Sequence, residues 1–201
     1  EITTRLVGSE MCIRDRVGGT AAQVAVANKY NVPYIFACGF PSLEEEIKGC
    51  VAYDNFLGGV IDDDVWAGVH CIEALYDAGC RNITYSGLTQ GYVKSHDDRY
   101  KGMYKVLEEH PDMKLLAEKY SMGLWADDVA TFNASFNNIE GMGFSAMVDG
   151  VYTALESEGM ANGSIKIAAV DISSMTGNYF KKGVQVWTLS LIHISEPTRR
   201  V

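Results

Sequence analysis

The chain has few basic residues and no long apolar run. It carries 17 lysines and arginines against 26 acidic residues, which gives a formal net charge of −9. An acidic surface repels phosphate backbones, so we expect no direct contact with nucleic acid. No apolar run approaches the roughly 18 residues that a membrane-spanning helix needs. We therefore expect no membrane span in this sequence.

The sequence also lacks the usual signatures of catalysis and of cofactor or metal binding. His70, His96 and His110 have no metal-ligand spacing, and no Ser or Cys lies in a nucleophile-elbow motif. The segment VGGTAA lacks the lysine of a phosphate loop, and no G-x-G-x-x-G opens a helix. The carboxylates of residues 62–64 suit the first turns of a helix better than a metal site. These absences predict a protein that is not an enzyme and has no cofactor.

The cysteines match no C-x-x-C metal or redox signature, and four of them lie in or beside apolar runs. A free cysteine in such a run behaves as a small hydrophobic residue. We predict buried free thiols, over disulfides or a redox role, at Cys38, Cys50, Cys71 and Cys80.

The two ends of the chain carry segments that mirror one another at the level of DNA. LVGSEMCIRDR (6–16) can be encoded by a nucleotide string whose reverse complement translates as LSLIHISEPTR (189–199). A natural terminal arm has no reason to mirror the other end. We expect residues 1–16 and 189–201 to be translated sequencing-adapter sequence, and residues 17–188 to be an interior piece of a gene.

Apolar runs of strand length alternate with segments of helical period along the chain, and Gly or Pro marks the joins. Strand followed by helix, repeated, predicts an α/β fold with a doubly wound parallel sheet. The predicted strands are VPYIFAC (32–38), GCVAY (49–53), NITYSG (82–87), MKLLAEKY (113–120), FSAMV (144–148), IKIAAV (165–170) and VQVWT (184–188).

Polar residues follow several of these predicted strands. Asp54 follows GCVAY, the loop LTQGYVKSHDDR follows NITYSG, Asp149 follows FSAMV, and Asp171 follows IKIAAV. Each aspartate alone could be a helix N-cap. Since the carboxyl ends of parallel strands share one edge of a sheet, the set predicts a ligand site there.

Three motifs in order carry a family resemblance: D-N-x-x-G-G at Asp54–Gly59, S-x-x-x-R-x-x-G at Ser95–Gly102, and the strand-ending Asp171. In this order they resemble the type I periplasmic-binding-protein family, over essentially all of 17–188. That family includes sugar-binding proteins of ABC importers and the effector domains of LacI-type repressors. The resemblance implies two hinged lobes, with residues 17–53 ending the N-terminal lobe and residues 54–188 forming nearly all of the C-terminal lobe.

The resemblance also implies roles for individual residues. Arg99 corresponds to the arginine that grips sugar hydroxyls, and its fork of donors suits two adjacent oxygens. Asp171 corresponds to an aspartate that accepts hydrogen bonds from hydroxyls, and Trp125 to an aromatic that packs on a sugar face, although Trp125 also suits the core. Tyr53 would lie at the hinge crossing, and Asp149 in the loop of a ligand-binding segment. At Cys38 the ribose-type branch usually carries an aspartate, so one hydroxyl acceptor is lost.

Two functions follow from the resemblance. The first is a solute-binding protein of an ABC importer, periplasmic or anchored at the cell surface, that captures a small polar ligand, a monosaccharide, and delivers it to an ABC permease. The second is the ligand-sensing domain of a cytoplasmic LacI-type transcription regulator. Both would work by closure of a hinge around the ligand.

Overall fold

A computed structural model describes residues 21–37, 41, 44–60, 62–91, 93–146 and 149–190. The chain forms two compact units, the first ending at Ile61 and the second beginning at Asp62. Of the segments expected to be adapter sequence, only residues 189 and 190 fall within the described part.

The first unit is a small α/β layer. Its elements are α1 (Ala21–Lys29), β1 (Tyr34–Ala37), α2 (Glu44–Val51) and β2 (Phe56–Val60). The two strands pair in parallel, with Tyr34 opposite Phe56. Among the described residues of this unit, Val24, Phe36 and Cys50 form a buried core cluster. Ile35 and Leu57 are exposed, with relative accessibilities of 55% and 66% for the whole residue.

The predicted strand GCVAY (49–53) is wrong, because its first residues end helix α2. Three glutamates occupy the first turn of that helix and Lys48 its last turn, an arrangement that the helix dipole stabilises. The residues after α2 form a turn that leads into β2. The compact units divide after Ile61, because β2 pairs with β1 and so belongs to the first unit. The lobe boundary at residue 53 stays a prediction.

The second unit is a five-stranded parallel sheet in the order β4-β3-β5-β6-β7. Its elements are α3 (Asp64–Asp77), β3 (Asn82–Gly87), α4 (Lys94–Glu109), β4 (Lys114–Tyr120), α5 (Trp125–Ser135), β5 (Gly141–Phe144), α6 (Asp149–Ser157), β6 (Lys166–Val170), α7 (Thr176–Lys181) and β7 (Gln185–Leu189).

Helices cover both faces of this sheet, which confirms the predicted doubly wound α/β class. On one face, Met142 and Phe144 of β5 belong to a core cluster with residues of α5, α6 and α7. On the other face, Ile83 and Tyr85 of β3 join a cluster with residues of α3 and α4. Successive residues of a strand point to opposite faces. Strand β6 accordingly contributes Ile167 and Ala169 to the first cluster and Ala168 to the second.

Strand β5 begins and ends earlier than the predicted strand FSAMV (144–148). It occupies Gly141–Phe144, and its two glycines lie under large side chains. A Cβ atom at Gly143 would come within 2.6 Å of the Tyr85 ring. Glycine usually weakens a strand, because it has no side chain to pack. At Gly143 the missing side chain leaves room for the ring of Tyr85.

Helices α3 and α4 approach one another closely through two glycines. A Cβ atom at Gly68 of α3 would lie 2.1 Å from the carbonyl oxygen of Arg99, and one at Gly102 of α4 would lie 2.2 Å from that of Val65. Gly102 is the glycine of the S-x-x-x-R-x-x-G motif. The close approach brings the side chain of Arg99 to the start of α3.

Candidate functional site

The candidate site lies at the carboxyl edge of the five-stranded sheet. Strands β5 and β6 are neighbours there, with Phe144 opposite Ala169. Ser145 follows the end of β5, and Asp171 follows the end of β6. Parallel strands end at one edge, so these residues share that edge with the helix N-termini that follow.

Arg99 is the centre of the site. It lies in the second turn of α4 and is only 3% exposed. Its Nε donates to Asp64 Oδ1 at 2.8 Å, its Nη2 lies 2.7 Å from the same oxygen, and its Nη1 donates to the carbonyl oxygen of Ser145 at 2.5 Å. These contacts engage three of the five N–H donors of the guanidinium. The arginine therefore joins α3, α4 and the end of β5.

Asp64 holds the guanidinium from the first turn of α3. Burial raises the pKa of this carboxyl, while the charge and hydrogen bonds of Arg99 lower it. Asp63 caps the same helix, since its Oδ1 accepts a hydrogen bond from the backbone N–H of Trp66 at 2.9 Å. The acidic run therefore begins a helix, as predicted, and one of its members is also the partner of Arg99.

His96 lies three residues before Arg99 and is 7% exposed. Its Nδ1 is 2.6 Å from Ser145 Oγ, so Ser145 contacts both side chains. Burial, and then the charge of Arg99, lower the pKa of His96 to about 3. The imidazole is therefore neutral at pH 7.

Trp125 begins α5 and is 6% exposed. Its ring is nearly parallel to that of His96, with centroids 6.4 Å apart. Asp128, one turn further along α5, accepts hydrogen bonds from Ser86 at the end of β3 and from Ser121 after β4. These bonds fix the start of α5 at the carboxyl edge. The indole Nε1 is buried and has no hydrogen-bond partner among the described residues.

Asp171 has a left-handed backbone conformation, with φ of 68°. Its N–H donates to the carbonyl of Leu189 at 2.7 Å, and its own carbonyl accepts from the Thr188 hydroxyl at 2.6 Å. Such a conformation costs a non-glycine residue roughly 1–3 kcal/mol and is concentrated at functional sites. Burial raises the pKa of Asp171, the charge of Arg99 lowers it, and those of Asp64 and Asp62 raise it further.

Asp149 and Tyr53 have other surroundings. Asp149 is the first residue of α6 and accepts a hydrogen bond from Ser174 Oγ at 3.1 Å. Hydrogen bonds from Ser173 and Ser174 lower its pKa. Both serines follow Asp171 closely, so Asp149 borders the same loop. Tyr53 belongs to the first unit, in the turn before β2, where it packs against that unit's core.

Sequence reasoning missed Asp64, His96 and Ser145 as members of the site. The sequence could have indicated His96, because it lies one turn before Arg99 on the same helix face. Asp64 pairs with Arg99 only because α3 and α4 pack together, which no local pattern encodes. Ser145 offers Arg99 its backbone carbonyl, which every residue type has.

The cysteines in the described part behave as predicted. Cys50, Cys71 and Cys80 are free and buried. Burial raises the pKa of Cys71 to about 12 and that of Cys80 to about 11. Cys38 lies outside the described residues.

Within the described residues, no three or more His, Cys, Asp or Glu side chains are placed so that they could hold a metal ion. None of the helices in those ranges has both the length and the apolar character to cross a membrane.

No protein-family model matches the sequence, and a comparison with curated proteins also finds no match. Solved structures do match. An ABC transporter solute-binding protein from Agrobacterium vitis, bound with α-D-tagatopyranose, has a TM-score of 0.67 and 17% identity, over 82% of this chain and 57% of its own. The periplasmic component of an ABC-type sugar transport system from Hahella chejuensis has a TM-score of 0.66 and 18% identity, over 90% and 68%.

A carbohydrate transporter solute-binding protein from Agrobacterium radiobacter, in complex with D-arabinose, has a TM-score of 0.65 and 19% identity, over 81% of this chain and 55% of its own. The chain thus spans little more than half the length of two of these three proteins. At these identities the likeness establishes the fold, which is that of the type I periplasmic binding proteins.

Proposed function

We propose that the chain is part of a solute-binding protein of an ABC importer. Outside the cytoplasm, this protein would capture a monosaccharide and deliver it to a permease. The observation that carries the proposal is that Arg99 and the strained Asp171 lie at the same carboxyl edge of the sheet, since Arg99 binds the residue after β5 and Asp171 follows the neighbouring strand β6. A buried arginine fork and a carboxylate are the donor and acceptor that vicinal hydroxyls need. The solved neighbours of the same fold that were described with tagatose and arabinose support this choice.

We assign Arg99 as the hydroxyl donor, Asp171 as the hydroxyl acceptor and Trp125 as the aromatic wall. Asp149 would border the ligand through the loop that follows Asp171, and Tyr53 would contribute from the other lobe. In this assignment the second unit is the C-terminal lobe and the first unit ends the N-terminal lobe. Closure of the lobes would then be driven by contacts that exist only in the closed state.

Calorimetry on the full-length protein with a panel of neutral and amino monosaccharides tests the proposal. Arg99→Ala should weaken the binding of the best sugar about 100-fold, or ~2.8 kcal/mol, because buried polar partners lose a charged donor. Arg99→Lys, which keeps the charge but not the fork, should lose most of that affinity as well.

The matched control is Arg81→Ala. Arg81 precedes β3 at the opposite edge of the sheet, where it pairs with Asp112 at 2.8 Å. Its removal should leave affinity unchanged. If the folded full-length protein binds none of the sugars, or if both Arg99 variants bind like wild type while remaining folded, the assignment fails.

Sequencing of the source DNA beyond both ends tests the transport role separately. A signal peptide or lipid-anchoring cysteine upstream, with permease or ATPase genes nearby, is the expected result. A helix-turn-helix segment upstream would instead indicate the regulator. Uninterrupted coding through MCIRDR or LIHISEPT in the source genome would disprove the adapter interpretation.

A further inference from the structure

The charges around Arg99 do not balance. Arg99 is engaged by Asp64, with Nη2 and Oδ1 2.7 Å apart. The neighbouring Asp98 has cations of its own, since it pairs with Lys94 and, at 2.5 Å, with Lys101. Asp64 therefore pairs with one cation and Asp98 with two. Two further carboxylates have no such pairing.

Asp62 and Asp171 are those carboxylates. In the described part of the chain, neither forms an ion pair with a basic side chain. Asp62 lies just before α3, where its carbonyl accepts the N–H of Asp64 at 3.1 Å. Asp171 lies across the site, at the end of the strand next to β5. The negative charges of Asp62 and Asp64 repel that of Asp171 and raise its pKa.

Unpaired carboxylates that are partly buried are costly unless a cation or hydrogen-bond donors join them. Hydrogen bonds to both its N–H and its carbonyl hold the strained backbone of Asp171, and with it the residue, at this edge of the sheet. A ligand that brings a positive charge would relieve the repulsion, whereas a sugar acid or sugar phosphate would increase it.

The buried indole nitrogen of Trp125 adds an independent requirement. It is a hydrogen-bond donor without a described partner, on a residue that is 6% exposed. Trp125 lies against His96, which contacts Ser145, the residue that also binds Arg99. The remaining donors of Arg99 and this indole N–H call for ligand oxygens, so the ligand needs hydroxyl groups as well as a cation.

We propose that the ligand is an amine-bearing sugar, in which hydroxyl groups meet Arg99 and Trp125 while a protonated amine is selected by Asp62 and Asp171. The inference rests on the proposed function and names the class of sugar for the same site. The aromatic ring of Trp125 also favours a cationic ligand over a neutral one.

Calorimetry on the full-length protein at pH 7 and low salt tests this with matched pairs of probes. The pairs are glucosamine with glucose, galactosamine with galactose, and mannosamine with mannose, and N-acetylglucosamine serves as an amine-blocked probe. We expect at least one amino sugar to bind about 10-fold or more tightly than its neutral parent. The N-acetyl form should lose that advantage.

Variants that remove one carboxylate charge then show which residues select the amine. Asp62→Asn and Asp171→Asn should each reduce the ratio of amine to neutral affinity towards one. Asp63→Asn is the matched control, because Asp63 is exposed and asparagine can still cap α3. If Asp171→Asn abolishes all binding, the ratio of amine to neutral affinity in Asp62→Asn is the measurement that decides whether carboxylates select the amine.

The outcomes separate the two proposals. If neutral parents bind as tightly as their amines, or if Asp62→Asn keeps the full preference, the amine inference is wrong while the sugar-binding function stands. If no sugar of either kind binds to the folded protein, the proposed function fails and the inference with it.

Discussion

Arg99 and His96 are coupled at the level of single side chains. They lie three residues apart on α4 and both contact Ser145. The guanidinium charge adds to burial in keeping the imidazole neutral. The fold therefore carries a histidine that cannot take up a proton under conditions in which the unfolded chain can.

This coupling predicts an acid sensitivity. In the unfolded chain His96 takes up a proton below about pH 6.5, whereas in the folded protein its pKa is about 3. Between these values the unfolded state binds more protons, so the free energy of unfolding falls as the pH falls. His96 alone contributes a slope of up to ~1.4 kcal/mol per pH unit.

Urea unfolding at several pH values between 7 and 4 measures this slope in the wild type and in His96→Asn. The variant should show the shallower dependence by about 1 kcal/mol per pH unit. Equal slopes in the two proteins would mean that His96 does take up a proton in the folded state.

At the scale of elements, the sequence correctly predicted the strands that form regular apolar runs. Strands β3, β4, β6 and β7 lie where apolar runs bounded by turns placed them, within about two residues. Besides the strand GCVAY, whose first residues end helix α2, two failures share a cause, which is tertiary packing. Gly141 and Gly143 form a strand because neighbouring side chains fill the space above them, and Asp64 meets Arg99 because two helices touch.

The helix contact gives a prediction at this scale. Gly68→Ala would place a Cβ atom 2.1 Å from the Arg99 carbonyl oxygen, so α3 and α4 must separate. Overpacking against backbone should destabilise the protein by about 3 kcal/mol. Chemical denaturation monitored by circular dichroism measures the change.

Gly177→Ala is the control for this substitution. Gly177 lies in α7, and a Cβ atom there would meet nothing within 4 Å. The added methyl group should leave stability equal or raise it by up to about 1 kcal/mol, through helix propensity. If Gly68→Ala behaved like Gly177→Ala, the helices would have room that the structure does not give them.

At the scale of the whole molecule, the two units differ in how much core each possesses. The second unit has a large apolar cluster on each face of its sheet. In the described residues of the first unit, the core cluster holds three buried apolar residues beside a two-stranded parallel pair. Parallel sheets are normally covered on both faces, but Ile35 and Leu57 leave one face of this pair exposed.

Hydrogen exchange should reveal the difference. We expect the amides of β1 and β2 to exchange about 100-fold or more faster than those of β3 and β5, because local opening is easiest where few apolar contacts are broken. Exchange followed by mass spectrometry resolves the two groups of peptides. Similar protection in all four strands would contradict this picture.

The arginine between α3, α4 and β5 also has a consequence for anyone who wishes to change the specificity of such a protein. Because Asp64 and the Ser145 carbonyl hold Arg99 as part of the scaffold, a substitution there alters the framework before it alters selectivity. The loop that begins at Asp171 is tied to the sheet mainly through its backbone. A library for new ligands should therefore vary the side chains of that loop and keep the arginine fixed.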